Sequence, residues 1–144
     1  MLVHQILKGK SDDGVATVLP GATMAEAVEM LSSRRIGALV VSSDGKIALG
    51  ILSERDVVRE LGQRGVACLS DKVEAVMTRD IFGCTRDDRA DVVLQRMTDG
   101  RFRHMPVLEG GQMIGLISIG DVVKARLSDL TQEADALTSM IMGN

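Results

Sequence analysis

The sequence predicts an α/β fold, α+β in the way its elements group, made of two βαββα repeats packed about a pseudo-two-fold axis. Three observations carry that prediction. Gly50-Ile51-Leu52-Ser53-Glu54-Arg55-Asp56-Val57-Val58 returns as Gly115-Leu116-Ile117-Ser118-Ile119-Gly120-Asp121-Val122-Val123. Both copies fit Gly, two aliphatics, Ser, two variable positions, Asp, Val, Val. Each copy follows a short aliphatic run, Ala38 to Val41 in one and Met105 to Leu108 in the other. Finally, 144 residues build one compact core rather than two ordinary domains. Each copy is therefore a half-sized unit that buries its apolar surface on the other. The repeats span 1–66 and 67–130, with 131–144 as a helical tail.

Each repeat reads as a very short helix, a strand, a helix, two strands and a helix. Val3 to Leu7 is a brief apolar stretch matched by Val73 to Met77. A small strand follows, at Val15 to Leu19 and again at Ile81 to Thr85, and Ser11-Asp12-Asp13-Gly14 has the composition of a loop. Thr23-Met24-Ala25-Glu26 opens a helix as a capping box, with Met24, Ala27, Val28 and Leu31 on one face. Its counterpart starts from Asp88 as N-cap and carries Ala90, Val93, Leu94 and Met97 on its apolar side. Strands at Ala38 to Val41 and Ile47 to Leu52 join through Ser43-Asp44-Gly45. Those at Met105 to Leu108 and Gln112 to Ile117 join through Gly110-Gly111. Closing helices start at Ser53 and Ser118. The first stops near Gly62 and Gly65, while the second runs on with Leu127, Leu130, Ala134, Leu137 and Ile141 as a stripe.

Composition narrows the function. Hydrophobic residues are 45% of the chain but aromatics only 1%, with nine Met, so the core is aliphatic. Single-stranded nucleic acid is bound on aromatic faces, and duplex by net positive charge; this chain has few aromatics and carries −3. No apolar run approaches the roughly 18 residues of a membrane span, and the first ten residues are too short an apolar stretch for a signal peptide. Cys68 and Cys84 fit no C-x-x-C pattern, so they read as reduced, partly buried thiols in a soluble cytoplasmic protein, with no metal site.

With these elements in place, the chain resembles a tandem pair of cystathionine-β-synthase (CBS) domains, a stand-alone Bateman module. The likeness covers about residues 1 to 130. It rests on the two Gly-h-h-Ser-x-x-Asp-h-h segments (h aliphatic), on Arg103-His104-Met105-Pro106-Val107, and on the βαββα order. Repeat one departs from the pattern at Ile36-Gly37-Ala38-Leu39-Val40-Val41, with Val40 where Pro is usual and no basic residue beside it. The resemblance implies a sensor of AMP, ADP or ATP, or of S-adenosylmethionine or NAD, with no cofactor required. It also implies disc-like homodimers and an effector protein as partner. It implies that Asp56 with Ser53, and Asp121 with Ser118, hold ribose. By the same resemblance Arg103 and His104 face phosphate, and Ile36, Gly37, Ala38, Ile81 and Phe102 flank adenine.

The residues support such chemistry on their own terms. One carboxylate can accept from both vicinal hydroxyls of a ribose, and a helix N-terminus favours a nearby anion. Ser-x-x-Asp is equally a plain capping box that needs no ligand, so both readings stay open. Alternation along the strand puts Arg101 and Arg103 on one side and His104 on the other. An arginine fork suits phosphate. Gly37 and Ala38 stand where Arg103 and His104 stand, so the two clefts are expected to be unequal. A ligand-free structural or dimerisation module is the alternative function. No Ser-His-Asp order, H-E-x-x-H, Walker loop or G-x-G-x-x-G marks an enzyme, and no basic helix marks a DNA binder.

Overall fold

Two small sheets organise the chain, one for each repeat. The structure, a computed structural model, describes residues 1–10 and 14–143. The expected loop at Ser11, Asp12 and Asp13 lies outside the described residues. The first sheet holds β1 (Thr17–Val18) parallel to β2 (Ala38–Val41), which pairs antiparallel with β3 (Gly50–Ser53). The second is the hairpin of β4 (His104–Glu109) and β5 (Gln112–Ser118). All four residues of β2 are buried, which is why its run is aliphatic throughout rather than alternating. Gly110 and Gly111 both take positive φ, +59° and +79°. A tight hairpin turn demands that backbone, and glycine supplies it without strain.

The helices are α1 (Val3–Gly9), α2 (Met24–Arg34), α3 (Glu54–Arg64), α4 (Val73–Val76), α5 (Ala90–Gly100) and α6 (Ile119–Ile141), with a 3-10 turn over Gly65–Ser70. The expected capping box at Thr23 forms, with Thr23 Oγ1 accepting the Glu26 amide at 3.2 Å. Helix α3 stops at Gly65 (φ +68°), as expected. Helix α6 runs unbroken through 130/131, so the tail is its continuation.

Four elements differ from expectation, the first being the strand expected over Val15 to Leu19, which is reduced to Thr17–Val18. The strand expected from Ile47 starts at Gly50 because the preceding residues are tied elsewhere. Asp44 Oδ1 accepts the Lys46 and Ile47 amides at 2.8 and 2.9 Å, and the Lys46 carbonyl accepts the Met113 amide of the other repeat at 2.7 Å. These amides hold the Asp44 carboxyl below its ordinary pKa. The strand expected over Ile81 to Thr85 shrinks to one parallel bridge between Cys84 and Val107. It ends in a turn in which Asp88 Oδ2 accepts the Thr85 amide at 2.8 Å. Asp88 is therefore a turn residue, and Arg89 holds the N-cap position of α5 without a side-chain cap. The Met1 carbonyl instead takes the Ala90 amide at 2.9 Å. Both thiols are buried fully rather than partly, and burial pushes the Cys84 thiol up to about 12.

The core is two clusters, and each short opening helix packs into the other repeat's cluster. Val3 and Ile6 of α1 are buried with Val93, Met97, Met105, Val107 and Ile117. Val73, Val76 and Met77 are buried with Met24, Leu31, Leu39, Val41 and Leu52. Backbone bonds fix the exchange. Val3 donates to the Asp88 carbonyl at 2.9 Å, while Met24 donates to Asp71 and Val73 to Ala22, both at 2.8 Å. Neither repeat can lose its partner's helix without opening its own apolar core, so the two fold as one pseudo-two-fold unit.

Candidate functional site

Both Ser-x-x-Asp segments cap helices. Ser53 is the N-cap of α3, its Oγ accepting the Asp56 amide at 3.3 Å, and Ser118 is the N-cap of α6, its Oγ accepting the Asp121 amide at 3.2 Å. Each carboxylate answers by accepting its serine's amide at 2.9 Å. The surroundings then diverge. Asp56 is 5% exposed; its Oδ2 also accepts Ser53 Oγ at 3.1 Å, and its Oδ1 accepts Arg59 Nη2 at 3.0 Å. Asp121 Oδ2 accepts Lys10 Nζ at 2.9 Å, and Lys10 also donates to the Leu116 carbonyl. Burial opposes charge on Asp121, yet the Ser118 amide and the Lys10 ammonium outweigh it and lower its pKa.

Each cap sits on the wall of a cleft whose other wall comes from the opposite repeat. The first cleft, about 560 Å³, joins Ser53 and Asp56 to Ile81, Phe102, Arg103 and His104. The second, about 900 Å³, joins Ser118 and Asp121 to Ile36, Gly37 and Ala38, with His104 again on the wall. Ligand pockets commonly span about 300–1,000 Å³. Every residue expected at a site thus lines one cleft or the other, and His104 lines both.

The segments that lead into β2 and β4 correspond. Glu54 donates its amide to the Gly37 carbonyl at 2.9 Å, and Ile119 donates to Arg103 at 2.8 Å. Where repeat two has Arg103 and His104, repeat one has only Gly37 and Ala38, and the His104 ring occupies the space this leaves. A Cβ on Gly37 would lie 3.3 Å from His104 Cε1 and Nε2. Burial lowers the His104 pKa, Glu54 and Asp121 act to raise it, and Lys10 and Arg103 to lower it further.

Sequence reasoning missed several lining residues. Arg101 does not follow strand alternation, because it sits before β4 in left-handed backbone (φ +56°) and lines the first cleft with Arg103 and His104. Arg35 holds the same place in repeat one (φ 53°), and with Arg34 and Lys10 it makes the second cleft cationic despite Gly37 and Ala38. The repeat alignment that matched Gly37 to Arg103 also pairs Arg35 with Arg101, so that signal was present. Arg55, in the first turn of α3, and Arg59, one turn further on, line the first cleft. So does Phe82, stacked on Phe102 with ring centroids 5.3 Å apart and planes at 12°.

Among the described residues no group of three or more His, Cys, Asp or Glu could hold a metal ion. No described helix is long and apolar enough to cross a membrane. Comparison with known proteins agrees with the architecture. The CBS domain family model matches twice, over residues 11–63 and 73–128. The chain is 36% identical over 141 residues to the mitochondrial CBS domain-containing protein CBSX3 of Arabidopsis thaliana, covering 94% of this chain and 68% of that one. The crystal structure of the CBS-domain containing protein ATU1752 of Agrobacterium tumefaciens superposes with a TM-score of 0.83 at 42% identity, covering 88% of this chain and 99% of that one. A CBS domain protein of Pyrobaculum aerophilum, PAE2072, shares the fold (TM-score 0.73, 23% identity, 84% and 89% covered) and was solved with AMP. The chain belongs to the CBS domain family, as a tandem pair of CBS repeats.

Proposed function

We propose that this CBS pair is a regulatory sensor of adenine nucleotides of the AMP, ADP or ATP type. It acts on a partner protein through a conformational change that ligand binding favours. One observation supports this most directly: each cleft sets a serine-aspartate helix start of one repeat against the residues leading into a strand of the other, with cations on the walls. Asp56 and Asp121 receive the ribose hydroxyls beside Ser53 and Ser118. Arg103 and His104 meet phosphate, and Ile81 and Phe102 flank the base in the first cleft, as Ile36 to Ala38 do in the second. The AMP complex of the Pyrobaculum relative gives the ligand class precedent in this fold. Arg59 is half-exposed, so its guanidinium can leave Asp56 Oδ1 to a ribose hydroxyl. The reading includes no catalytic step, a homodimer and a cytoplasmic location.

The engaged Asp56 favours a second reading in the first cleft: a purely structural cap in a module that binds no ligand there. Isothermal titration calorimetry with AMP, ATP, S-adenosylmethionine and NAD separates the two. Saturable heat that Asp121→Ala abolishes supports the sensor and assigns the second cleft. Absence of heat with all four ligands rejects the sensor in favour of an interaction module.

A further inference from the structure

Arg35 and Arg101 hold left-handed backbone, at φ +53° and +56°, and every other described residue at positive φ is a glycine. They are the same residue of the two repeats. Arg35 ends α2 two residues before Gly37, and Arg101 ends α5 two residues before Arg103. A helix that stops by turning left usually does so on glycine or asparagine, because a Cβ strains that backbone. The turns themselves give no reason for a side chain. They are closed by the two backbone amides, Arg35 donating to the Leu31 and Ser32 carbonyls and Arg101 to the Met97 carbonyl, bonds that glycine makes equally well. Both arginines are exposed, and among the described residues neither guanidinium has a hydrogen bond or an ion pair.

What the two side chains share is a place on a cleft wall. Arg101 lines the first cleft with Ser53 and Asp56, and Arg35 lines the second with Ser118 and Asp121. Arg55 Nη1, in the first turn of α3, donates to the Arg101 carbonyl at 3.4 Å, so the left-handed turn of one repeat lies against the helix start of the other. Each cleft therefore sets an uncommitted guanidinium opposite a serine-aspartate pair.

We propose that Arg35 and Arg101 are matching anion-binding residues, one to each cleft, and that each holds a phosphate of the nucleotide. The inference rests on the adenine-nucleotide reading and deepens it. It makes the second cleft a phosphate site as well, although Gly37 and Ala38 stand there in place of Arg103 and His104. A guanidinium offers paired N–H donors that match phosphate oxygens, and the fixed turn sets the direction in which the side chain leaves the backbone. Strained backbone persists where function needs the residue that bears it. Solvation alone explains an exposed arginine, but not one at the position of each repeat where glycine fits better.

Isothermal titration calorimetry of the full chain with AMP and with adenosine, which differ only in the phosphate, tests this. The variants are Arg35→Gly and Arg101→Gly, because glycine keeps the left-handed turn and removes only the side chain. Each should weaken AMP at one cleft about tenfold, the loss expected for one charge-assisted contact, and leave adenosine unchanged. Arg35→Lys and Arg101→Lys should recover part of the loss. By far-ultraviolet circular dichroism both glycine variants should melt no lower than wild type. AMP affinity within about twofold of wild type in either glycine variant overturns the inference for that cleft and leaves the nucleotide reading standing. A lowered Tm with equal losses of AMP and adenosine also overturns it, since the side chain then serves the fold. A wild-type chain that saturates with neither ligand overturns both readings.

Discussion

Replacing Asp56 by Ala tests whether this buried carboxylate holds the fold as well as facing a cleft. Two losses add. The amide of Ser53, half-buried at the start of α3, gives up its acceptor at 2.9 Å, and an unsatisfied buried donor costs about 1–3 kcal/mol. The negative charge in the first turn of α3 also disappears, worth about 0.3–1 kcal/mol. The freed Arg59 is half-exposed and rehydrates, so its ion pair adds less than about 1 kcal/mol. Together the expected loss is on the order of 2–3 kcal/mol, a fall in Tm of roughly 5–10 °C for a domain of this size. Far-ultraviolet circular dichroism followed on heating reads it in a chain without Trp or Tyr. Asp56→Asn keeps an uncharged acceptor for the Ser53 amide and should recover more than half of the loss, while Arg59→Ala should move Tm little. If Asp56→Ala melts within about 1 °C of wild type, a shift far below the worth of one buried hydrogen bond, the cap carries no stability and the reasoning fails.

Other perturbations read other parts of the structure. Leu52→Ala empties a fully buried position in β3 and should cost about 2–5 kcal/mol by urea denaturation; a smaller cost would mean that the first core relaxes around the gap. Gly50→Ala should destabilise more than Gly115→Ala. A Cβ at Gly50 would meet Met77 Sδ at 2.5 Å and the Thr78 carbonyl at 3.0 Å, whereas at Gly115 it meets only the tip of Leu7; overpacking costs about 1–3 kcal/mol. Equal melting points would show that both sites yield alike. Burial holds the folded His104 pKa below its unfolded value of 6.5, so the unfolded chain binds the extra proton in the window below 6.5. Stability from this residue is whole above 6.5 and falls as pH drops through it, with Glu54 and Asp121 opposing the trend and Lys10 and Arg103 reinforcing it. The difference in Tm between wild type and His104→Gln should shrink on acidification, and a difference independent of pH would refute the assignment.

The repeated motif made the architecture legible because a short apolar pattern with a capping serine is a local property. Ser53, Ser118 and Thr23 each start a helix where the sequence placed one. The strand at Ile81 was not legible, since its length is set by how far Cys84 runs beside Val107 before the Asp88 turn diverts it. The exchange of α1 and α4 between cores was equally hidden. Val3 and Val73 look alike in sequence, and nothing local tells an apolar stretch which of two similar cores it enters. The candidate site shows the same division. Individual lining residues could be picked from the motif, but Lys10 reaches Asp121 only because α1 crosses into the other repeat.

That exchange gives the motif glycine a reason independent of any ligand. Gly50 lies against Met77, at the end of α4, and Gly115 against Leu7 of α1, the matching residues of the two crossing segments. Each Gly-h-h-Ser-x-x-Asp segment therefore starts where the other repeat's opening helix passes too close for a Cβ, and ends at a helix start on a cleft wall. Asp121 shows the consequence most plainly. Lys10, just beyond α1, holds its carboxylate at 2.9 Å, so a ribose that took Asp121, as proposed above, would compete with the end of the segment locking the two cores together. Under the proposed function, a chain of direct contacts would carry a change in cleft occupancy into the packing between repeats: Asp121, Lys10, Leu7, Gly115. Asp56 has no such connection, since the cation on its carboxylate, Arg59, comes from its own helix at three residues' distance. On that geometry the carboxylate of the second cleft, unlike Asp56, is tied by its cation to the segment that crosses between the repeats.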